Sequence, residues 1–272
     1  MELFDFEIAF NRAFRFAFSR KKIAVVFPFL LLSSALFTFC QALSYHTGTW
    51  LSLSLLFVPL LLSVGIFLAL GIILVRIYYH EVKNSVYDIK KILSVSWDLM
   101  AFSAYLSLPI LLIYFVLWAC LGVFLAFRSI PAVGKYIGAL FSFAPFLLIL
   151  LSIALFISSL VLLFFGVPIL ALHKQGRKEK CVFLLKRVMQ DTFKVLGMFF
   201  LGMLPLAMIL LTLTVAAYLT SWSYVGDVEG LTFIVSWFLI TLPASFLFTP
   251  FCVFFFNFAA ESHQLLVPQK NS

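Results

Sequence analysis

Three of the four histidines lie just past long apolar stretches, where side chains able to bind a metal could meet. His80, His173 and His263 each occupy such a position, and Glu81 and Glu261 lie within two residues of His80 and His263. Imidazole and carboxylate groups bind zinc, and imidazole titrates near neutral pH, so convergence of the three would create a metal site or a pH sensor. The simpler interpretation is that polar residues begin where an apolar stretch ends. We favour it, and the sequence predicts no metal and no other cofactor.

Basic residues form a second set of candidate functional residues. They are densest in residues 173–194, which carry seven of the 19 Lys and Arg residues. The others are dispersed among short loops rather than gathered on a folded domain, which argues against nucleic acid as a partner. Lys and Arg beside apolar segments typically contact anionic lipid headgroups. The residues predicted to make such contacts are Arg20, Lys21, Lys22, Lys90, Lys91, Arg177, Lys178, Lys180, Lys186 and Arg187.

The composition indicates an all-α protein embedded in a membrane. Hydrophobic residues make up 64% of the chain and charged residues 11%, whereas soluble domains are about half apolar and about a quarter charged. Six apolar stretches are long enough to cross a hydrocarbon core of about 30 Å. The predicted spans are about 23–43, 51–75, 99–127, 137–172, 195–219 and 231–260, within a single domain.

The fourth span is too long to be one upright helix. Its 36 residues would form a helix of about 54 Å, and no polar turn divides it in two. Pro145 and Pro168 predict that the membrane-crossing part lies mostly between them, with broken or interfacial ends.

Amphipathic segments precede the first, third and fifth spans. In residues 1–22, polar side chains recur every four residues, and residues 86–97 repeat apolar side chains at helical spacing. Residues 173–194 have a helical apolar face beside their basic residues. The pattern predicts three interfacial helices.

The distribution of charge predicts the orientation. Of the 19 Lys and Arg residues, 17 fall in the N-terminal arm, the second and fourth loops and the C-terminal tail. Because basic loops stay in the cytoplasm, both termini are predicted to be cytoplasmic.

The order of interfacial helix, span, outer turn and span suggests a threefold repeat of helical hairpins. The second and third copies align at an offset of 96 residues, which pairs Lys90 with Lys186 and Pro109 with Pro205, and Pro28 holds the corresponding place in the first copy. Chance similarity between apolar sequences is the alternative.

The spans contain no Asp, Glu, Lys, Arg or His away from their ends, which argues against a proton relay and against an intramembrane protease with an acidic pair. No CxxC pair, GxSxG, HExxH or phosphate-binding glycine loop occurs either, so we predict that the protein is not an enzyme. Polar residues within the spans either join helices by hydrogen bonds or line a conduit. They include Gln41, Ser103, Tyr105, Ser107, Tyr114, Ser158, Ser159 and Asn257.

Three features of the sequence resemble a group of bacterial inner-membrane families. They are the amphipathic segment before each odd span, the sequence Gly166-Val167-Pro168-Ile169 near the end of the fourth span, and the following Phe183-Leu184-Leu185-Lys186-Arg187. That group includes the membrane domain fused to some glycerophosphodiester phosphodiesterases. The resemblance implies six spans and a bacterial inner-membrane location, and it transfers no active-site residue.

Two functions follow as hypotheses. The first is a structural or accessory envelope protein that interacts with membrane lipids, with a protein partner or with further copies of itself. The alternative is a transporter or channel for a small amphipathic solute, which the proline-interrupted fourth and sixth spans would favour.

Overall fold

A computed structural model describes residues 3–45, 47, 49–85, 87–128, 130, 136, 142–172, 192–219 and 231–266. The described chain is helical, and six of its helices are long and apolar enough to cross a membrane. The predicted all-α bundle with six spans is therefore confirmed. The helices are α1 Leu3–Arg15, α2 Arg20–Tyr45, α3 Thr49–Val82, α4 Ile89–Arg128, α5 Ala144–Leu172, α6 Thr192–Leu219 and α7 Leu231–Leu266.

Several helices are longer than a membrane is thick. The 34 residues of α3 and the 40 residues of α4 correspond to about 51 Å and about 60 Å, against a hydrocarbon core of about 30 Å. The ends of these helices therefore extend into the headgroup region and beyond it.

The fourth span begins near the expected proline but does not break at the second one. Pro145 is the second residue of α5, a position where its missing N–H removes no helical hydrogen bond. Pro168 lies inside α5, and the helix continues beyond it to Leu172. Of the two predicted alternatives, a broken end is therefore not observed at Pro168, while an interfacial end stays a prediction. Residues 137–141 lie outside the described part of the chain.

The predicted interfacial helices have different outcomes. α1 is a separate helix, whereas the segment before the third span forms the first turns of α4 and runs into that span without interruption. No Gly or Pro lies between Ile89 and Pro109, so nothing in the sequence ends the helix there. The helical spacing of residues 86–97 places Ile89, Leu93 and Trp97 on one apolar face. Leu93 and Trp97 are exposed in the structure, while Ile92 is buried. The segment before the fifth span falls largely on residues 173–191, which lie outside the described residues.

A defined turn joins α3 to α4. Ser85 N donates to His80 O and Asn84 N donates to Glu81 O, both at 3.0 Å, while Asn84 has a φ of 50°. This is the Schellman pattern of helix termination, with Asn in the left-handed position. Asp88 then caps α4, because its Oδ1 accepts a hydrogen bond from Lys90 N at 3.0 Å.

The tightest packing lies at one end of the bundle, where α3, α5 and α7 finish and where α1 and α2 begin. Aromatic side chains fill this region. The rings of Phe254 and Phe258 are stacked with their centroids 5.7 Å apart, and the ring centroids of Phe164 and Phe255 are 5.3 Å apart. Gly71 permits the close approach of α3 to its neighbours, since a Cβ at this position would lie 2.8 Å from Val167 Cγ1 and would also clash with Phe256. We call this region the packed end.

Large apolar side chains cover the outward faces of α4 and α6. They recur at helical spacing, so each set forms one stripe: Leu108, Leu112, Phe115 and Val116 on α4, and Phe200, Leu204, Met208 and Leu211 on α6. Contiguous apolar surface of this kind is disfavoured in water and suits contact with acyl chains.

Candidate functional site

A lysine is enclosed at the packed end of the bundle, where polar side chains of α3 and α7 and the backbone carbonyl of Phe16 converge on it. Lys22, in the first turn of α2, has 0% exposure. Its Nζ lies 2.6 Å from Glu81 Oε2 and donates to Asn257 Oδ1 at 3.2 Å and to Phe16 O at 3.4 Å. The Tyr78 ring is 4.8 Å away, close enough for a cation–π contact.

Glu81, near the end of α3, connects Lys22 to the loop that follows. Its Oε1 accepts hydrogen bonds from Tyr87 Oη at 2.9 Å and from Ser19 Oγ at 3.5 Å. Ser19 is the residue before α2, so one carboxylate holds the start of α2, the end of α3 and the start of α4 together.

Residues of α7 complete the arrangement. Asn257 Nδ2 donates to Ala13 O at 3.2 Å, and Glu261 accepts a hydrogen bond from Tyr78 Oη. Arg12 Nη1 of α1 lies 3.5 Å from Glu261 Oε1. We refer to Arg12, Lys22, Tyr78, Glu81, Asn257 and Glu261 as the Lys22 cluster.

The charges of the Lys22 cluster balance. Two cations, Lys22 and Arg12, face two carboxylates, Glu81 and Glu261. Removing an ion from water costs several kcal/mol, and this cost is offset only when the ion is paired and hydrogen-bonded. The pairs here join α1, α2, α3 and α7, so the cluster fixes the relative position of these helices.

Tyr87 keeps its proton to high pH. Burial, the hydrogen bond to Glu81 and the negative charge of Glu81 together raise the pKa of Tyr87 to about 12. The phenol therefore remains a hydrogen-bond donor to Glu81 throughout the physiological pH range.

The basic residues predicted to contact headgroups fall into three groups. Lys22 is a correction: its side chain is buried against Glu81 and Asn257 and cannot reach a lipid headgroup. Arg20, Lys21, Lys90 and Lys91 are exposed, which leaves headgroup contact as a prediction for them. The remaining five, Arg177, Lys178, Lys180, Lys186 and Arg187, lie outside the described residues.

The three histidines are only partly described. His80 Nδ1 lies 2.8 Å from Ser85 Oγ, and His263 is buried, while His173 lies outside the described residues. Within the described part of the chain, His, Cys, Asp and Glu side chains form no group of three that could hold a metal ion.

Two of the polar span residues join helices. Tyr114 Oη of α4 donates to Ser54 O of α3 at 2.8 Å, and Asn257 belongs to the Lys22 cluster. Ser158 and Ser159 instead donate to carbonyl groups of their own helix at 2.8 and 2.6 Å. Tyr105 is exposed, so its side chain does not line a buried conduit.

Sequence reasoning missed the Lys22 cluster because it ranked ionisable residues by their place in a span and not by burial. One signal was present: Asn257 and Glu261 are four residues apart in an otherwise apolar helix, which places both on one face. Partners for that polar face could have been sought among the charges at the ends of other spans.

Comparisons with protein-family models, with curated proteins and with solved structures find no match.

Proposed function

We propose that this chain is a non-catalytic, multi-pass protein of the bacterial cytoplasmic membrane that has a structural or accessory role and interacts with lipids or a partner protein. The observation that carries the proposal is the balanced pairing in the Lys22 cluster. Its charges are directed at one another and hold helices together. A catalytic or ion-relaying site would instead present an ionisable group to a substrate or a water-filled path.

The outward surface supports the lipid part of the proposal. Apolar stripes on α4 and α6 suit acyl chains, and exposed Lys and Arg residues lie at the packed end. With both termini in the cytoplasm, as the charge distribution predicts, the packed end lies at the inner leaflet, where anionic lipids attract basic side chains.

One observation favours transport as a second candidate. A groove of about 280 Å³ lies between α2, α3 and α7. Its lining includes Ser33 and Ser34, whose hydroxyl groups have no hydrogen-bond partner among the described residues, as well as Ser63, Thr241 and Ser245. The exposed lining of the groove is almost entirely apolar, so it suits the apolar part of an amphipathic solute.

One pair of measurements on the purified protein separates the candidates. For the accessory role we expect mass spectrometry of extracted lipids to show anionic phospholipids enriched over the host membrane, with no solute flux in proteoliposomes followed by light scattering. If the proteoliposomes instead show saturable flux of an amphipathic solute, and if Ser33→Leu abolishes this flux by filling the groove, the transport function replaces the accessory role. An extract matching the bulk membrane lipids, with no copurifying protein, would remove the accessory proposal.

A further inference from the structure

A cavity of about 480 Å³ lies beside the Lys22 cluster, between the end of α3, the start of α4 and the end of α5. One part of its lining is polar and includes Arg76, His80, Asp88 and Lys91. Another part is apolar and includes Ile92 and Val95. Its volume is within the range of small-molecule sites in proteins, about 300 to 1,000 Å³.

Arg76 is held in a fixed orientation at this cavity. Its Nη1 donates to the buried Ser96 Oγ at 2.8 Å, and its Nε donates to Ala171 O at 3.4 Å. Guanidinium has five N–H groups, so these two contacts orient the side chain and leave further donors for an anion. An arginine fixed in this way loses little entropy when it binds a phosphate group.

The charges lining the cavity leave a small positive excess. Arg76 and Lys91 are cations and Asp88 is an anion, so the net charge is +1 when His80 is neutral. One oxygen of Asp88 is occupied in capping α4 through Lys90 N. This balance suits a ligand with a single negative charge, such as a phosphodiester, better than one with several charges.

The position of the cavity indicates that its ligand is a lipid. It lies where the apolar segment of α3 ends, and exposed Val95 on its apolar side is followed on α4 by exposed Trp97. A molecule with an anionic head and an apolar body would match both sides of the cavity. Tyr79 also lines it, and aromatic residues of this kind are typical of the membrane interface.

We propose that this cavity binds the phosphodiester headgroup of an anionic glycerophospholipid, with Arg76 and Lys91 as its phosphate ligands. The proposal rests on the lipid-interacting function proposed above and names the site and the class of lipid. It also distinguishes Lys91, which lines the cavity, from its neighbour Lys90, which does not. For Lys90 only a weak, diffuse attraction to headgroups at the surface is expected.

The test compares Lys91→Gln with Lys90→Gln, two variants that remove the same charge from adjacent exposed positions. Affinity for phosphatidylglycerol is measured on the full chain by native mass spectrometry, with phosphatidylcholine as the zwitterionic reference. Because a charge-assisted hydrogen bond is lost, we expect Lys91→Gln to weaken phosphatidylglycerol binding by about tenfold and Lys90→Gln by less than about twofold. Arg76→Lys, which keeps the charge but loses the fork of donors, should weaken binding as well.

Each other outcome has a distinct meaning. Equal losses in the two Gln variants would show diffuse surface attraction, which overturns the cavity while leaving a lipid-interacting function intact. If the unmodified protein binds phosphatidylglycerol no better than phosphatidylcholine, the lipid part of the proposed function fails together with the cavity. If millimolar glycerol phosphate displaces bound phosphatidylglycerol as effectively as added phosphatidylglycerol does, the cavity is a site for a soluble phosphate ester and not for a lipid.

Discussion

At the scale of single residues, the position of a charge along the sequence does not determine its role. Arg20, Lys21 and Lys22 are consecutive, and their local sequence offers no reason to separate them. Successive positions on a helix differ by about 100°, so one member of the run faces the bundle when the others do not. Lys22 is that member, and its partners come from α3 and α7.

Replacing Lys22 should therefore be far more costly than replacing its neighbour. In Lys22→Met the carboxylate of Glu81 loses its paired cation, and we expect the free energy of unfolding to fall by about 3–5 kcal/mol. The measurement is reversible unfolding in mixed micelles. Lys21→Met serves as the control and should cost less than about 1 kcal/mol, because Lys21 is exposed and, among the residues that the structure describes, makes only a cation–π contact with Tyr87.

A double variant checks the physical cause. Neutralising the carboxylate in Lys22→Met/Glu81→Gln should restore a substantial part of the lost stability, since no unpaired charge is then left buried. Equal losses in Lys22→Met and Lys21→Met would show that the buried pair does not contribute as proposed.

At the scale of helices, apolar length determines the spans, while the ends depend on local capping and on tertiary contacts. The sequence predicted α2 and α3 as spans because their apolar runs admit no other secondary structure in a membrane. It did not predict that the segment before the third span joins α4, because an amphipathic pattern is the same in a separate helix and in the first turns of a longer one.

Close packing between helices gives a second prediction. Gly71→Ala should lower the free energy of unfolding by about 1–3 kcal/mol, because the added methyl group meets Val167 and Phe256 in a filled region. Gly122→Ala is the matched control, since a Cβ at Gly122 has no neighbour within 4 Å among the described residues. The control should be neutral or gain up to about 1 kcal/mol from helix propensity. Thermal unfolding in detergent compares the two, and a neutral Gly71→Ala would contradict the close approach.

At the scale of the whole molecule, the two ends of the bundle differ. The packed end holds the Lys22 cluster and the aromatic core. Toward the other end large apolar side chains are exposed, among them Leu51, Val123, Phe146, Leu211 and Leu239. The number of spans could be predicted from hydropathy alone. This asymmetry could not, because it depends on which Phe residues of α5 and α7 face one another, and the sequence offers 35 Phe residues with similar surroundings.

The orientation of the whole molecule in the membrane is a prediction of the charge distribution, and labelling can test it. In a cysteine-free variant, we expect Thr47→Cys and Thr220→Cys to react with an impermeant maleimide added to intact cells, while Lys90→Cys and Lys178→Cys react only after lysis. Thr47 is partly exposed, whereas the nearby Ser44 is buried and would react poorly. The opposite labelling pattern would place both termini outside the cytoplasm.

The enclosed position of Lys22 also bears on how the chain is assembled during synthesis. Glu81 is made 59 residues after Lys22, and Asn257 is made 235 residues after it. Until Glu81 is made the ammonium group has no carboxylate partner, and it is more stable among headgroups and water than between helices. We therefore expect the first membrane helix to reach its final depth only after the second has been inserted, and the packed end to close only once α7 has been made.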